Sequence, residues 1–292
     1  GIDQTRGWFY TLLAVASLLG KKAPYKNVIS LGLILDKLGQ KMSKSKGNIV
    51  DPWAMIKKYG VDAVRFYFFT VNPPGDSKRF DETDLGKLSR QFFSIIYNSF
   101  VFYETYGKLT INPSSRNLAK RDNKQLTIKS KNILDVWILA KLNDLILGVT
   151  KNLDKYEINE AARAIYSFSD DLSRWYIRRS RRRLQKVEDK KDYLAASATL
   201  NYTLLTLSKL MAPFTPFFAE GLYKSLTANQ NDSVHLADWP KADKKAVNKS
   251  LLTGMKDVRD LATKALAKRA ELGIKVRQPL QKLTINKQQL TK

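Results

Sequence analysis

The chain of 292 residues contains no cysteine, a single histidine and little negative charge. Without cysteine it can form neither a disulfide bond nor a thiolate zinc site, which suits the cytoplasm. His235 has no second histidine with which to share a metal ion, so we interpret it as structural. No apolar run reaches the length of about 18 residues that a membrane-spanning helix needs. We therefore expect no resident metal, no zinc and no membrane partner.

Positive charge is abundant instead. The chain has 51 Lys and Arg against 27 Asp and Glu, a formal net charge of +24 and an isoelectric point near 10.0. So large an imbalance predicts a polyanionic partner, and nucleic acid fits it better than a membrane surface does.

The densest basic run is "SRWYIRRSRRRLQK", residues 173–186, which holds seven basic residues and no acidic one. An ordinary solvated helix face usually carries both signs of charge. Arginine suits phosphates and stacked bases because its guanidinium is planar and forked. Our candidates for nucleic-acid contact are Arg174, Arg178, Arg181 and Arg182.

Apolar residues in and before this run recur at helical spacing. They are predicted to face a core, away from the arginines. The predicted core face comprises Ala161, Ile165, Phe168, Leu172 and Trp175.

A second basic stretch, "LGQKMSKSKGNIVDPW", spans residues 38–53. It follows an aliphatic run, residues 27–35, that reads as a buried strand, and a turn at residues 36–39. It precedes a helix start with Asp51 as N-cap, Pro52 at the first position and Gly60 as the end signal. A strand, a basic loop and a helix N-terminus together are typical of a phosphate site, although a plain solvated loop is the alternative.

Within this stretch, Lys-Met-Ser-Lys-Ser at residues 41–45 is identical to the second signature of class I aminoacyl-tRNA synthetases. Upstream, "GIDQTRGWF" resembles the adenylate-binding segment of isoleucyl-tRNA synthetases. "DLSRWYIRRSRRRL", "LMAPFTPFFAEGLY" and "SVHLADWP" are similar to later segments of that family, in the same order. A valyl-type enzyme is the alternative within the class, and a helical RNA-binding module without chemistry is the alternative outside it.

The resemblance implies that isoleucine is activated with ATP, accompanied by Mg²⁺, and transferred to tRNA(Ile). Lys44 would stabilise the leaving pyrophosphate with Lys41 as its helper, in an ATP-binding loop formed by Lys41, Met42, Ser43, Lys44 and Ser45. The aminoacyl-adenylate would be held by Gly1, Asp3, Gln4 and Trp8. Trp8 could alternatively belong to a hydrophobic core.

The expected fold is mainly α with an α/β part. Residues 1–70 should form the C-terminal half of a Rossmann-like catalytic domain, and residues 71–130 a connecting helical segment with a polar linker. Residues 131–228 should form a helical-bundle anticodon-binding domain, broken near Tyr156, Asp189 and Pro213. Residues 229–292 should form a junction, a helix ended by Gly273, and the start of a further unit.

The first signature of the family, His-x-Gly-His, is absent from the sequence. We therefore expect the chain to be the C-terminal part of a longer, monomeric enzyme. It would lack half of the nucleotide fold and the editing domain, and it would be inactive by itself.

Overall fold

A computed structural model describes residues 1–108, 130–227, 231–282 and 284. The predicted polar linker lies mainly outside these residues. Among them, no helix is both long enough and apolar enough to cross a membrane.

The N-terminal part is α/β, with short elements. A 3₁₀ turn covers Ile2–Arg6, and another, in the signature loop, covers Lys44–Lys46. Between and after them lie α1 (Trp8–Leu18), β1 (Ile34–Leu35), α2 (Pro52–Tyr59), α3 (Val61–Thr70) and β2 (Lys78–Arg79). The two strands are parallel, with Ile34 opposite Lys78 and Leu35 opposite Arg79.

The prediction of a buried strand over residues 27–35 is wrong in two respects. Only two of these residues form a strand, and its Ile34 remains 47% exposed. No residue between 1 and 60 is buried. Aliphatic side chains are buried only where another element packs over them. In the described part of the chain, β2 is the only strand that pairs with β1, so the aliphatic run stays accessible to water.

The signals around α2 are confirmed. The backbone N–H of Trp53 donates to the Asp51 carboxylate at 3.0 Å, and Pro52 occupies the first turn. Gly60 ends the helix with a φ of 86°, a conformation that residues with a Cβ rarely adopt.

One long helical segment follows β2 and connects to the bundle. It runs without a break from α4 (Glu82–Leu88) through a π turn (Ser89–Phe93), α5 (Ser94–Phe102) and a second π turn (Tyr103–Gly107). The Asp81 carboxylate caps its start by accepting from the N–H of Thr83 at 2.7 Å.

The predicted helical bundle is confirmed, with breaks at the predicted places. Its elements are α6 (Ile133–Asp154), α7 (Ile158–Asp170), a π turn (Asp171–Ile177), α8 (Arg178–Gln185), α9 (Lys190–Met211) and α10 (Pro216–Thr227). Tyr156 breaks the chain with a φ of 61°, and Asp189 caps α9 through the N–H of Lys191 at 2.8 Å.

Two 3₁₀ turns, Val234–Leu236 and Lys244–Ala246, lead to α11 (Lys249–Glu271). Gly273 follows it with a φ of 66°, as predicted.

A single hydrophobic core joins the bundle to α3, α4 and α5. At its centre Phe66 stacks on Phe92, with ring centroids 4.2 Å apart, and meets Phe214 edge-on at 6.3 Å. The helices that follow the signature loop and the bundle therefore share one packed interior.

The predicted core face needs one correction. Ala161, Ile165, Phe168 and Leu172 are buried, but Trp175 is only half-buried and Tyr176 is fully buried in its place. The cause is the π turn Asp171–Ile177, because its wider helical turn accommodates an extra residue and shifts the buried position by one.

Candidate active-site loop and nucleic-acid interface

The signature loop begins at residue 41, beside the small sheet. Lys41 forms an isolated antiparallel bridge with Leu35 of β1. The hydroxyls of Ser43 and Ser45 are hydrogen-bonded at 2.6 Å, and Gly47 turns the chain with a φ of 64°. Met42 packs against the hydrophobic core. The start of the loop is thus anchored, while Lys44 and Ser45 are exposed.

Both signature lysines are available to a ligand. Lys41 and Lys44 are exposed, and neither forms an ion pair within the described residues. An ammonium group without a carboxylate partner keeps its donors for an anion. The ammonium groups of Lys41 and Lys44, which the sequence assigned to phosphate binding, therefore have no competing carboxylate among the described residues.

The predicted Asp51 cap limits what the N-terminus of α2 can offer an anion. Asp51 already occupies the N–H of Trp53, and its carboxylate would repel an anion at that helix end. The lysines, rather than the helix dipole, supply the positive charge of this loop.

Asp36 and Asn48 hold the base of the loop, and sequence reasoning did not identify either. The Asp36 carboxylate accepts from the N–H groups of Leu38 at 2.9 Å and Gln40 at 2.8 Å. It also accepts from Asn48 Nδ2 at 2.8 Å. The hydrogen bond from Asn48, followed by those from the backbone, lowers the pKa of Asp36. An Asp followed by Gly three residues later was the available signal.

The N-terminal segment lies along the same extended stretch of chain. The N–H of Ile2 donates to the carbonyl of Leu31 at 3.1 Å, four residues before Leu35, which bridges to Lys41. Four residues of extended chain span about 13 Å. The N-terminal segment and the loop therefore contact opposite ends of the same stretch, residues 31–35. No described hydrogen bond joins Gly1 directly to the loop.

The candidate adenylate residues are all exposed. Trp8 is 62% exposed, so the interpretation of Trp8 as a core residue is wrong. The Gln4 side-chain oxygen accepts from the N–H of Trp8 at 3.1 Å and so caps the start of α1. This local role leaves the Gln4 amide nitrogen without an acceptor among the described residues.

The four candidate arginines are all exposed, but they are not equivalent. Arg174 pairs with Asp170 at 2.9 Å, and Arg182 pairs with Glu188 at 2.8 Å. Arg178 has no ion pair within the described residues, and the guanidinium of Arg181 lies 5.5 Å from the Phe102 ring centroid. Exposed pairs of this kind contribute little to stability and exchange readily for another anion.

Arg183, in the same basic run, has a structural role that the sequence did not reveal. Its guanidinium binds the buried Asp135 carboxylate through two hydrogen bonds of 2.8 Å and contacts Asp192 at 2.6 Å. Tyr176 donates a third bond to Asp135, at 2.7 Å. Burial lowers the pKa of Arg183, but the bonds to both carboxylates outweigh it and raise the pKa overall. Arg183 therefore ties α8 to α6 and α9.

Two family models match separate parts of the chain. Residues 1–81 match the family described as tRNA synthetases class I (I, L, M and V), and residues 135–284 match the anticodon-binding domain of tRNA ligase. Two solved structures share the fold. The leucyl enzyme (LeuRS) of Agrobacterium radiobacter K84 is 22% identical with a TM-score of 0.56, over 82% of this chain and 27% of its own. Mycobacterium tuberculosis methionyl-tRNA synthetase is 20% identical with a TM-score of 0.55, over 80% and 45%. The class is thus that of the class I tRNA synthetases.

Curated relatives narrow the assignment. The chain is 44% identical to the isoleucine–tRNA ligase of Dehalococcoides mccartyi strain CBDB1 over 97% of its residues. It is 43% identical to that of Porphyromonas gingivalis and 42% to that of Thermus thermophilus, each over 98%. The chain belongs to the isoleucine–tRNA ligase family. It spans 28%, 24% and 27% of the length of these three relatives.

Proposed function

We propose that the chain supplies the signature loop and a tRNA-binding surface to an isoleucine–tRNA ligase. Isoleucine would be activated with MgATP and transferred to tRNA(Ile). The observation that carries this proposal is the identical signature at residues 41–45, whose two lysines are exposed and without ion pairs in the described chain.

In the activation step a carboxylate oxygen of isoleucine attacks the α-phosphorus of ATP. The bond between that phosphorus and the bridging oxygen breaks, and pyrophosphate leaves with the bonding electrons. Negative charge therefore grows on the leaving group. Lys44 would stabilise this charge, with Lys41 beside it, and only a contact that strengthens in the transition state raises the rate.

The N-terminal segment would hold the amino acid and its adenylate. Asp3 is exposed and can pair with an ammonium or hydroxyl group, while Gly1 permits close approach of the backbone. The free amide nitrogen of Gln4 could donate to the adenylate, and the exposed Trp8 ring could form one wall of the site.

The arginine surface, defined as Arg174, Arg178, Arg181 and Arg182, would bind the tRNA backbone. Its support is the exposure of all four guanidinium groups on a helix that is itself fixed by Arg183. A helical RNA-binding module without chemistry would explain this surface equally well. The class I match over residues 1–81 favours the ligase.

The test is binding of a tRNA(Ile) transcript to the chain across a salt series. Each arginine–phosphate contact contributes roughly −0.7 to −0.9 to the slope of log affinity against log salt. We expect Arg178→Ala together with Arg182→Ala to weaken binding and to flatten the slope by about one to two units.

The matched control removes two charges elsewhere. Lys151→Ala with Lys155→Ala acts at the C-terminal end of α6, whereas Arg183 contacts Asp135 near the other end of that helix. Sixteen or more residues of helix separate these places by about 25 Å. If the control weakens binding as much as the arginine variant does, only net charge matters and the proposed surface is wrong.

A further inference from the structure

Asn48 connects the signature loop to its base through both ends of its side-chain amide. Its Nδ2 donates to Asp36 at 2.8 Å and makes a longer contact with the carbonyl of Lys41 at 3.3 Å. Its Oδ1 accepts from the backbone N–H of Ser43 at 2.9 Å. The Asn48 side chain thus contacts two signature residues, Lys41 and Ser43. It also contacts Asp36, the first residue of the preceding turn.

This arrangement requires an amide at position 48. A carboxylate there could still accept from Ser43, but it would face the Asp36 carboxylate with no hydrogen to donate. An apolar side chain would leave the N–H of Ser43 and one oxygen of Asp36 unpaired. Both residues are half-buried, so water replaces the lost bonds only in part.

The bonded N–H of Ser43 lies one residue before Lys44, and the bonded carbonyl of Lys41 lies three residues before it. The backbone that carries Lys44 is therefore fixed near its Cα atom, while the ammonium group stays exposed. Because the backbone of Lys44 is already fixed, the residue loses less conformational freedom when its exposed ammonium group binds a phosphate.

We propose that Asp36 and Asn48 form a hydrogen-bonded latch that holds the signature loop in the conformation from which Lys44 acts. The latch is a pair of positioning residues and not part of the chemistry itself. This inference rests on the proposed function of the loop. It adds two residues, outside the five-residue signature, on which the rate of activation depends.

A reciprocal exchange tests the latch in the complete gene product. Asn48→Asp opposes two carboxylates and should lower kcat for isoleucine-dependent ATP–pyrophosphate exchange at least tenfold, with KM for isoleucine unchanged. Combining it with Asp36→Asn restores a donor between the two positions. In the double exchange, the amide introduced at position 36 would still accept from Leu38 and Gln40, and the carboxylate introduced at position 48 would still accept from Ser43. We expect kcat to recover to within about threefold of the original.

A general loss of structure would not be repaired by the second substitution. The latch is overturned if Asn48→Asp retains full kcat, or if the double exchange is no more active than Asn48→Asp alone.

A second measurement does not depend on activity. In the 292-residue chain, Asn48→Ala should speed amide hydrogen exchange at Ser43 about tenfold or more, and exchange at Trp53, which Asp51 protects, should stay unchanged. Unchanged exchange at Ser43 would overturn the latch. If Asn48→Ala speeds hydrogen exchange at Ser43 as expected but the complete gene product activates no isoleucine, the proposed function fails and the latch conformation stands.

Discussion

The carboxylate of Asp62, on α3, accepts a hydrogen bond from the backbone N–H of Phe218, in the first turn of α10, at 2.6 Å. One turn of helix further on, Arg65 donates to the carbonyls of Phe214 and Pro213, both at 3.4 Å. In return Arg163 of α7 donates to the carbonyls of Thr70 and Val71, at the end of α3. Side chains of α3 and of the bundle thus satisfy each other's helix ends, so α3 is fixed to the bundle.

Asp62 should make the stability of the contact between α3 and α10 depend on pH. Burial raises the pKa of Asp62, and its second oxygen has no hydrogen-bond partner in the described structure. A carboxyl whose pKa is higher when folded contributes stability that is complete below the unfolded pKa and is lost as pH rises through the folded pKa. Asp62→Asn keeps the acceptor oxygen and removes the titration. The free energy of unfolding, original minus variant, should therefore be largest at acid pH and fall as pH rises through the raised pKa of the folded Asp62, as denaturant melts over a pH series can measure.

Asp62→Ala is the companion variant. It removes the acceptor at the start of α10 and should cost about 1 kcal/mol, the usual effect of a lost helix cap. A difference between the original chain and Asp62→Asn that is independent of pH would show that the carboxyl does not titrate abnormally.

The π turn Asp171–Ile177 predicts an unusual order of mutational effects. Tyr176 is fully buried and hydrogen-bonded to Asp135, whereas Trp175 is half-buried, with its indole N–H on the sulfur of Met255 at 3.1 Å. Tyr176→Ala should destabilise the bundle by about 3–5 kcal/mol, the range for deleting a buried aromatic ring. Trp175→Ala should cost less than half of that.

Urea denaturation of both variants measures this order. Helical periodicity without the π turn would give Trp175 the larger effect. A greater loss for Trp175→Ala than for Tyr176→Ala would therefore contradict the observed register.

The sequence predicted helix ends well because those signals are local. Asp51, Gly60, Asp189 and Gly273 act on backbone groups within a few residues of themselves, and all four end or begin helices as expected. Hydrophobic periodicity likewise found four of the five residues predicted for one core face, Ala161, Ile165, Phe168 and Leu172. It failed at Trp175 because a π turn changes the period without leaving a mark in the sequence.

Two features that the sequence did not reveal depend on distant parts of the chain. Arg183 looks like its neighbours in the basic run, but Asp135, 48 residues away, makes it a buried ion-pair residue. The aliphatic run before the signature loop predicted a buried strand, yet its burial depends on elements that do not cover it in the described chain. Gln4 is a local case: it was assigned to a ligand, and its oxygen also caps α1 by accepting from the N–H of Trp8, four residues further on.

The most direct measurement of the proposed function is isoleucine-dependent ATP–pyrophosphate exchange by the complete gene product with Lys44→Ala, beside Lys46→Ala. Lys46 is an exposed lysine of the same 3₁₀ turn, outside the five-residue signature, and controls for lost charge. We expect Lys44→Ala to lower kcat at least about 100-fold with KM for isoleucine nearly unchanged, because a preorganised charge at the leaving group acts mainly on the transition state. Lys46→Ala should stay within about threefold of the original rate. Equal losses in both variants, or a Lys44→Ala enzyme that keeps its rate and binds isoleucine more weakly, would contradict the role of the loop.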